Sequence, residues 1–190
     1  MTPARRMWHL AYALGRERMF STRMLIMLPI LLLFIPGMAW GFADPNLQLP
    51  ADQLPETATE TMFLASIGIV FAGTMAAVII AHDGISRDRT SGVLEVRLSQ
   101  PMPRWRQGIV LIFGHWSSIA LPVTALLVAS MFLVGYRSDM WIPLGDAVVY
   151  IVAAMLVLLW YTVFALLASS IAREQGSAIA LSIGLWFLFT

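Results

Sequence analysis

The side chains able to do chemistry are gathered between two long uncharged runs, in the segment HDGISRDRTSGVLEVRLSQPMPRWRQ at residues 82–107. Its carboxylates are Asp83, Asp88 and Glu95, its cations are Arg87, Arg89, Arg97, Arg104 and Arg106, and His82 stands at its start. A divalent metal needs several converging oxygen ligands, and after Asp88 only Glu95 remains before the next apolar run, so metal-assisted catalysis lacks its ligand set. The absence of cysteine removes thiolate metal sites, disulfides and a Cys nucleophile together. No lysine occurs either, and GxxxxGKS/T, HExxH and GxSxG are all missing, so the chain carries no P-loop, zincin or hydrolase motif. His82 and His115 remain as candidates for proton or metal work. His82 falls at the end of an apolar run, where hydration favours a structural role, and no second His or acid accompanies His115 in its run. The twelve Met residues are scattered and read as packing residues. The residues therefore point to no catalytic, cofactor-binding or metal-binding set in this chain.

The elements that hold this segment belong to a membrane protein. Of 190 residues, 59% are hydrophobic and 12% charged, with mean hydropathy +0.78, whereas charged residues make up about a quarter of a soluble domain. A net charge of +1 dispersed among loops gives no footprint for nucleic acid. Crossing about 30 Å of hydrocarbon takes about 20 apolar residues, and four stretches qualify: 24–42, 62–81, 108–134 and 147–171. The first contains Pro29 and Pro36, where a kink is expected. The second has no charge and carries Ala65, Gly68, Ala72, Gly73 and Ala76, small residues that let another helix approach closely. A fifth run at 176–190 is too short for a full span, so a partial fifth span and a C-terminally truncated chain are expected. The expected fold is all-α: one polytopic helical bundle over 1–190, with an interfacial helix at 1–22 and the loop 82–107 between spans.

Arginine placement orients the bundle. Arg5, Arg6, Arg16, Arg18 and Arg23 precede the first span, and five more follow the second, whereas the loop after the first span has Asp44, Asp52, Glu56 and Glu60 and no basic residue. The positive-inside rule places the N-terminus in the cytoplasm. No cleavable signal peptide is read at the N-terminus, because Arg16, Glu17, Arg18 and Arg23 delay the first apolar run. The outer segment 43–61, with Pro45, Pro50 and Pro55, reads as a linker.

Two cytoplasmic elements remain. Trp8, Ala11, Tyr12, Gly15 and Met19 share a helical face, so the N-terminal helix is expected to lie in the interface, as a simple anchor or as a connector to a cytoplasmic partner. In the loop, Val93, Leu94, Val96 and Leu98 alternate with Glu95 and Arg97, ahead of Pro101 and Pro103. Period alone suits strand or helix. Helix is favoured because no sheet is at hand to join. Trp105 between Arg104 and Arg106 fits the membrane interface.

At these residues the sequence resembles the membrane subunit of a type-2 ABC exporter. The resemblance is carried by Arg89-Thr90-Ser91-Gly92-Val93-Leu94-Glu95, then Leu98-Ser99-Gln100-Pro101 and Arg104. A second match is the inside turn from Ala165 to Arg173, followed by Gly176-Ser177-Ala178 and Trp186-Phe187-Leu188-Phe189. It is especially similar to permeases of the group associated with maturation of multicopper enzymes, including the nitrous oxide reductase system. Members of the family typically have six spans, and this chain ends inside the fifth. The resemblance implies a second permease subunit, as homodimer or heterodimer, in the cytoplasmic membrane among its lipids. It also implies a separate ABC ATPase subunit that carries the ATP and Mg, while this chain is not itself an enzyme. Coupling contacts to that ATPase would come from Arg87, Asp88, Arg89, Glu95 and Arg97, with Val93, Leu94 and Leu98 packing.

Two other classes compete. Asp83-Gly84 followed by Arg87 and Asp88 is similar to the start of the aspartate motif of alcohol phosphatidyltransferases, but the further spaced aspartates are missing. A scaffold or assembly protein with four spans and no transport cycle is the other alternative. The transported substrate is not legible in these residues.

Overall fold

The computed structural model describes residues 3–47, 50, 54–99 and 102–190, apart from the side chains of residues 3, 97 and 98. The described chain is helical: α1 (Pro3–Met19), α2 (Thr22–Phe42), α3 (Ala58–Ala65), α4 (Thr74–Ala81), α5 (Ser86–Thr90), α6 (Val93–Leu98), α7 (Arg104–Ser138), α8 (Leu144–Ile171) and α9 (Gln175–Phe189). Four helical stretches are long and apolar enough to cross a membrane, namely Thr22–Phe42, Ala58–Thr90, Arg104–Ser138 and Leu144–Ile171, with the shorter apolar α9 after them. This is a multi-pass membrane protein with a helical bundle fold.

The organising helix is α7, whose 35 residues extend about 52 Å at 1.5 Å per residue. Two helices share its length. Along its first half runs α1, in the same direction: Trp8 meets Phe113 edge-on at 5.4 Å, and a Cβ at Gly114 would lie 2.7 Å from Leu14 Cδ2. One at Gly15 would lie 2.4 Å from Ser117 Oγ, so the two helices touch backbone to backbone at these glycines. After an elbow at Phe20 and Ser21, where Ser21 Oγ caps α2 by accepting from the Met24 N–H at 3.4 Å, α2 follows the second half of α7. At the far end Arg137 of α7 pairs with Asp44 and lies over the Trp40 ring at 4.2 Å.

Close approach decides which residues of α1 meet α7. Met7 and Ala11 are buried against α7, whereas Trp8 and Tyr12 are 51% and 69% exposed. Small residues take the contact line and the large rings move to its flanks. The helix is thus packed along α7 rather than held by its aromatic face alone.

The second span also departs from its expected bounds. It starts at Ala58 because Thr57 and Glu60 form a capping box, the Thr57 Oγ1 accepting from Glu60 N and the Glu60 carboxylate accepting from Thr57 N. Glu60 therefore opens a helix rather than ending a loop. A π-helical turn at Ile69–Gly73 interrupts it, next to Gly68, where a Cβ would come within 2.1 Å of the Phe34 carbonyl oxygen. α2, by contrast, runs without interruption through Pro29 and Pro36.

Leu31, Ile35, Ala76, Ile80, Ile119, Leu127 and Leu158 form the centre of the core. Hydroxyl groups inside the bundle bond back to their own helices, as Ser130 does to Leu126 O at 2.7 Å and Thr162 to Leu158 O at 2.8 Å, since no water is available in hydrocarbon. Trp186 of α9 donates its indole N–H to Thr74 Oγ1 at 2.7 Å, which ties the short last helix to the middle of the second span.

A candidate coupling site at the arginine-rich end

At the arginine-rich end of the bundle the chain leaves α4 through residues 82–85 and enters two short helices. Each step is held from the side. His82 Nδ1 lies 2.8 Å from the Ile79 carbonyl oxygen of its own helix, which fixes the ring at the helix end and makes this nitrogen the donor. Asp83 is fully buried, its Oδ1 at 3.2 Å from Arg18 Nη1 and 2.9 Å from Arg23 Nη1. The last turn of α1, the first turn of α2 and the exit of α4 thus meet on one carboxylate. Gly84 follows because nothing larger fits: a Cβ there would lie 2.7 Å from Leu166 Cδ2 and 3.0 Å from the His115 ring.

The next tie runs to α8. Ser169 Oγ accepts the Ile85 and Ser86 N–H groups at 3.1 and 2.9 Å, so the unpaired first donors of α5 end on a side chain from another span. Arg89 then reaches the end of α8, Nη1 donating to Ala172 O at 2.6 Å and Nη2 to Ser170 O at 2.8 Å. These are last-turn carbonyls, and a guanidinium there both satisfies them and faces the negative end of the helix dipole.

Gly92, at φ +74°, turns the chain between α5 and α6, a conformation that side-chain-bearing residues rarely adopt. Residues 93–98 are helical. Under this pair of helices lies a cavity of about 180 Å³ lined by Leu10 and Leu14 of α1, Asp88, Leu94 and, from α7, Val110 and Leu111.

The residues singled out from the sequence therefore separate into three groups. Arg87, Val93 and Glu95 are exposed, with Val96 beside them at 64% exposure. Asp88 and Leu94 face the cavity, and Arg89 is spent on α8. Arg97 and Leu98 are helical positions whose side chains lie outside the described residues, and Pro101 lies outside them altogether. Trp105 is exposed with the Arg106 guanidinium 5.0 Å from its ring centre.

Sequence reasoning passed over Asp83, Arg18, Arg23 and Ser169 as a group. One signal was available: a lone acid directly after an uncharged span needs a counter-charge if it is buried. His115 is 1% exposed, its Nδ1 2.8 Å from Leu111 O, and its ring is a packing surface for Gly84. Among the described residues no three His, Asp or Glu side chains gather into a metal-ligand group.

This arrangement, two short helices clamped to the ends of three spans and showing charged and apolar side chains outward, sits in a chain with recognisable relatives. Residues 16–190 match the family described as ABC-2 family transporter protein. A curated relative from Stutzerimonas stutzeri, "Probable ABC transporter permease protein NosY", is 28% identical over 160 residues, covering 80% of this chain. The chain spans about half of that relative's length, 55%. The matched region includes α2 through α9 and the elbow arginines, and the chain belongs to the ABC-2 transporter family.

Proposed function

We propose that this chain is the membrane-spanning permease subunit of an ATP-driven ABC exporter in the cytoplasmic membrane, with its N-terminus and the 82–107 segment in the cytoplasm. ATP and Mg belong to a separate ATPase subunit, and a second permease subunit completes the transporter. The observation that carries the reading is the anchoring of α5: Ser169 and Arg89 bind it to α8 while Asp83 binds its entry to α1 and α2. A force applied at the exposed Arg87, Val93 and Glu95 passes into three spans through hydrogen bonds and ion pairs rather than being absorbed by a loop. Arg89 contributes from within, holding the element to the bundle, and Asp88 and Leu94 support it from the cavity side.

The test is co-purification from detergent of the tagged protein with its ATPase, followed by ATP-dependent transport in inside-out vesicles. Glu95→Arg is expected to weaken ATPase association while leaving the helical content and melting temperature unchanged. Intact association in that variant removes Glu95 from the contact, and failure of the unmodified protein to bring down any ATPase supports a scaffold without a transport cycle.

A further inference from the structure

Departures from α-helical pairing in the second span are gathered at residues 66–73. The Ser66 N–H turns back only three residues, to the Phe63 oxygen at 3.1 Å, whereas the Thr74 N–H reaches five residues back, to Ile69. A tightened turn is followed at once by a widened one, and such a place lets a helix bend. The Val70 carbonyl, which the Thr74 N–H would take in a regular α-helix, accepts the Thr74 hydroxyl. That hydroxyl in turn accepts the Trp186 indole N–H at 2.7 Å. One side chain of α9 thus reaches the irregular carbonyl through Thr74.

Alongside, α2 runs in the opposite direction and touches this span at two levels: Phe34 meets Gly68 backbone to backbone, and Arg23 meets Asp83 at 2.9 Å. Between those levels the second span runs fifteen positions, from Gly68 to Asp83, and α2 only eleven, from Arg23 to Phe34. The longer path bows away from the shorter one. A groove of about 210 Å³ separates Met27, Ile30 and Phe34 of α2 from Met75 and Ile79, with Trp186 in its wall. The widened turn and the reach of the Arg23 side chain share the surplus length. Every residue lining the groove is apolar, so the gap can close without burying an unpaired polar group.

We propose that the widened turn at Ile69–Gly73 is a hinge, and that the Trp186–Thr74 hydrogen bond is the latch that holds it open. Released, α4 closes on α2 between the Gly68 and Asp83 contacts and shifts α5, which follows it in the chain. The outer half stays in place. Its Met62 and Ala65 pack in a separate group with Ala39 of α2 and Val134 of α7. Thr59 donates to Asp146 at 2.8 Å and Tyr150 to the Met62 carbonyl at 2.9 Å, which fix α3 to α8. A bend between two separately packed halves is how a hinge works. The device belongs to the chain alone and stands whether or not an ATPase drives it.

The chain has no cysteine, so a pair placed across the groove, Ile30→Cys with Met75→Cys, reports closure as the rate of oxidative cross-linking by copper phenanthroline in detergent. In that background Trp186→Phe, which keeps a ring and loses the donor, should raise the rate about fivefold, the weight of one hydrogen bond. Thr74→Val, which removes the hydroxyl altogether, should raise it at least as much, and adding Trp186→Phe to it should raise it no further. Ser130→Ala removes a hydroxyl bonded to its own helix away from the turn and should leave the rate unchanged. Melting temperatures identify which variants are folded, and the nearly isosteric Thr74→Val keeps the test decisive if Trp186→Phe folds poorly. An unchanged rate in the folded variants overturns the proposal, as does an equal rise in Ser130→Ala. A rise in only one of two folded variants, or additive rises in the pair, separates Trp186 from Thr74 and overturns the latch.

Discussion

Arg18 Nη1 lies 3.2 Å from Asp83 Oδ1, joining the last turn of α1 to the exit of the second span across 65 residues of sequence. Asp83 is wholly buried and Arg18 nearly so. Removing one partner of a buried pair strands the other. Asp83→Asn is expected to cost about 3–5 kcal/mol, read as a lower melting temperature in detergent. The double variant Asp83→Asn with Arg18→Gln should recover part of that loss, because one of the stranded charges is gone. A fully additive pair of losses would show that the two residues are not coupled.

Arg89 holds α5 to the end of α8 through two carbonyls. Arg89→Gln should lower stability only modestly, by about 1 kcal/mol, since the group is solvent-exposed. Its larger effect is local. Hydrogen exchange is expected to accelerate at residues 85–90 and 169–172 with the spans unchanged. Unchanged exchange in both segments would dissociate Arg89 from this tie.

Gly114 and Leu14 leave no room between α1 and α7. Gly114→Val should overpack that contact and cost about 1–3 kcal/mol. Leu14→Ala in the same chain removes Leu14 Cδ2 and Cγ, the two nearest atoms a Cβ at 114 would strike, and leaves Leu14 Cβ at 3.0 Å, so it should restore part of the melting temperature. Absence of rescue would locate the cost elsewhere.

At the opposite end, the Asn46 N–H donates to Asp44 at 2.9 Å and Arg137 pairs with the same carboxylate. The backbone N–H first, then the arginine, hold the Asp44 carboxyl below its ordinary value of 3.8. A depressed folded-state pKa means that the clamp contributes fully above the ordinary value and is lost as pH falls through the lower, folded one. The Arg137 to Trp40 contact should therefore be flat with pH near neutrality and loosen only in acid below the ordinary aspartate range, monitored by Trp fluorescence. Asp44→Asn should remove that acid transition; its persistence would assign it to another carboxylate.

Much of the fold was legible because hydrocarbon imposes a simple rule. Uncharged runs of spanning length announce α2, the second span, α7 and α8, and 93–98 is helical where period alone left strand open. Boundaries drifted where local capping intervened, as Thr57 and Glu60 show by opening the second span earlier. On α1 the shared helical face did not tell which of its residues meet α7: the contact takes the small Ala11 and Gly15, while Trp8 and Tyr12 stay exposed. Of the proposed coupling residues, the alternating pattern could not tell Leu94, turned to the cavity, from Val93, turned outward.

By itself the sequence determined that this is an all-helical, multi-pass membrane protein whose charges are kept out of the spans, and residues 89–104 and 165–189 carried its family likeness. These are properties of composition and period, which act along the chain. Only the tertiary structure decided that Asp83 is shared by Arg18 and Arg23, that Ser169 receives the start of α5, and that Arg89 is committed to α8. Those pairings join residues more than 50 positions apart, and they exist because buried charges and unpaired backbone groups must find partners wherever packing brings them.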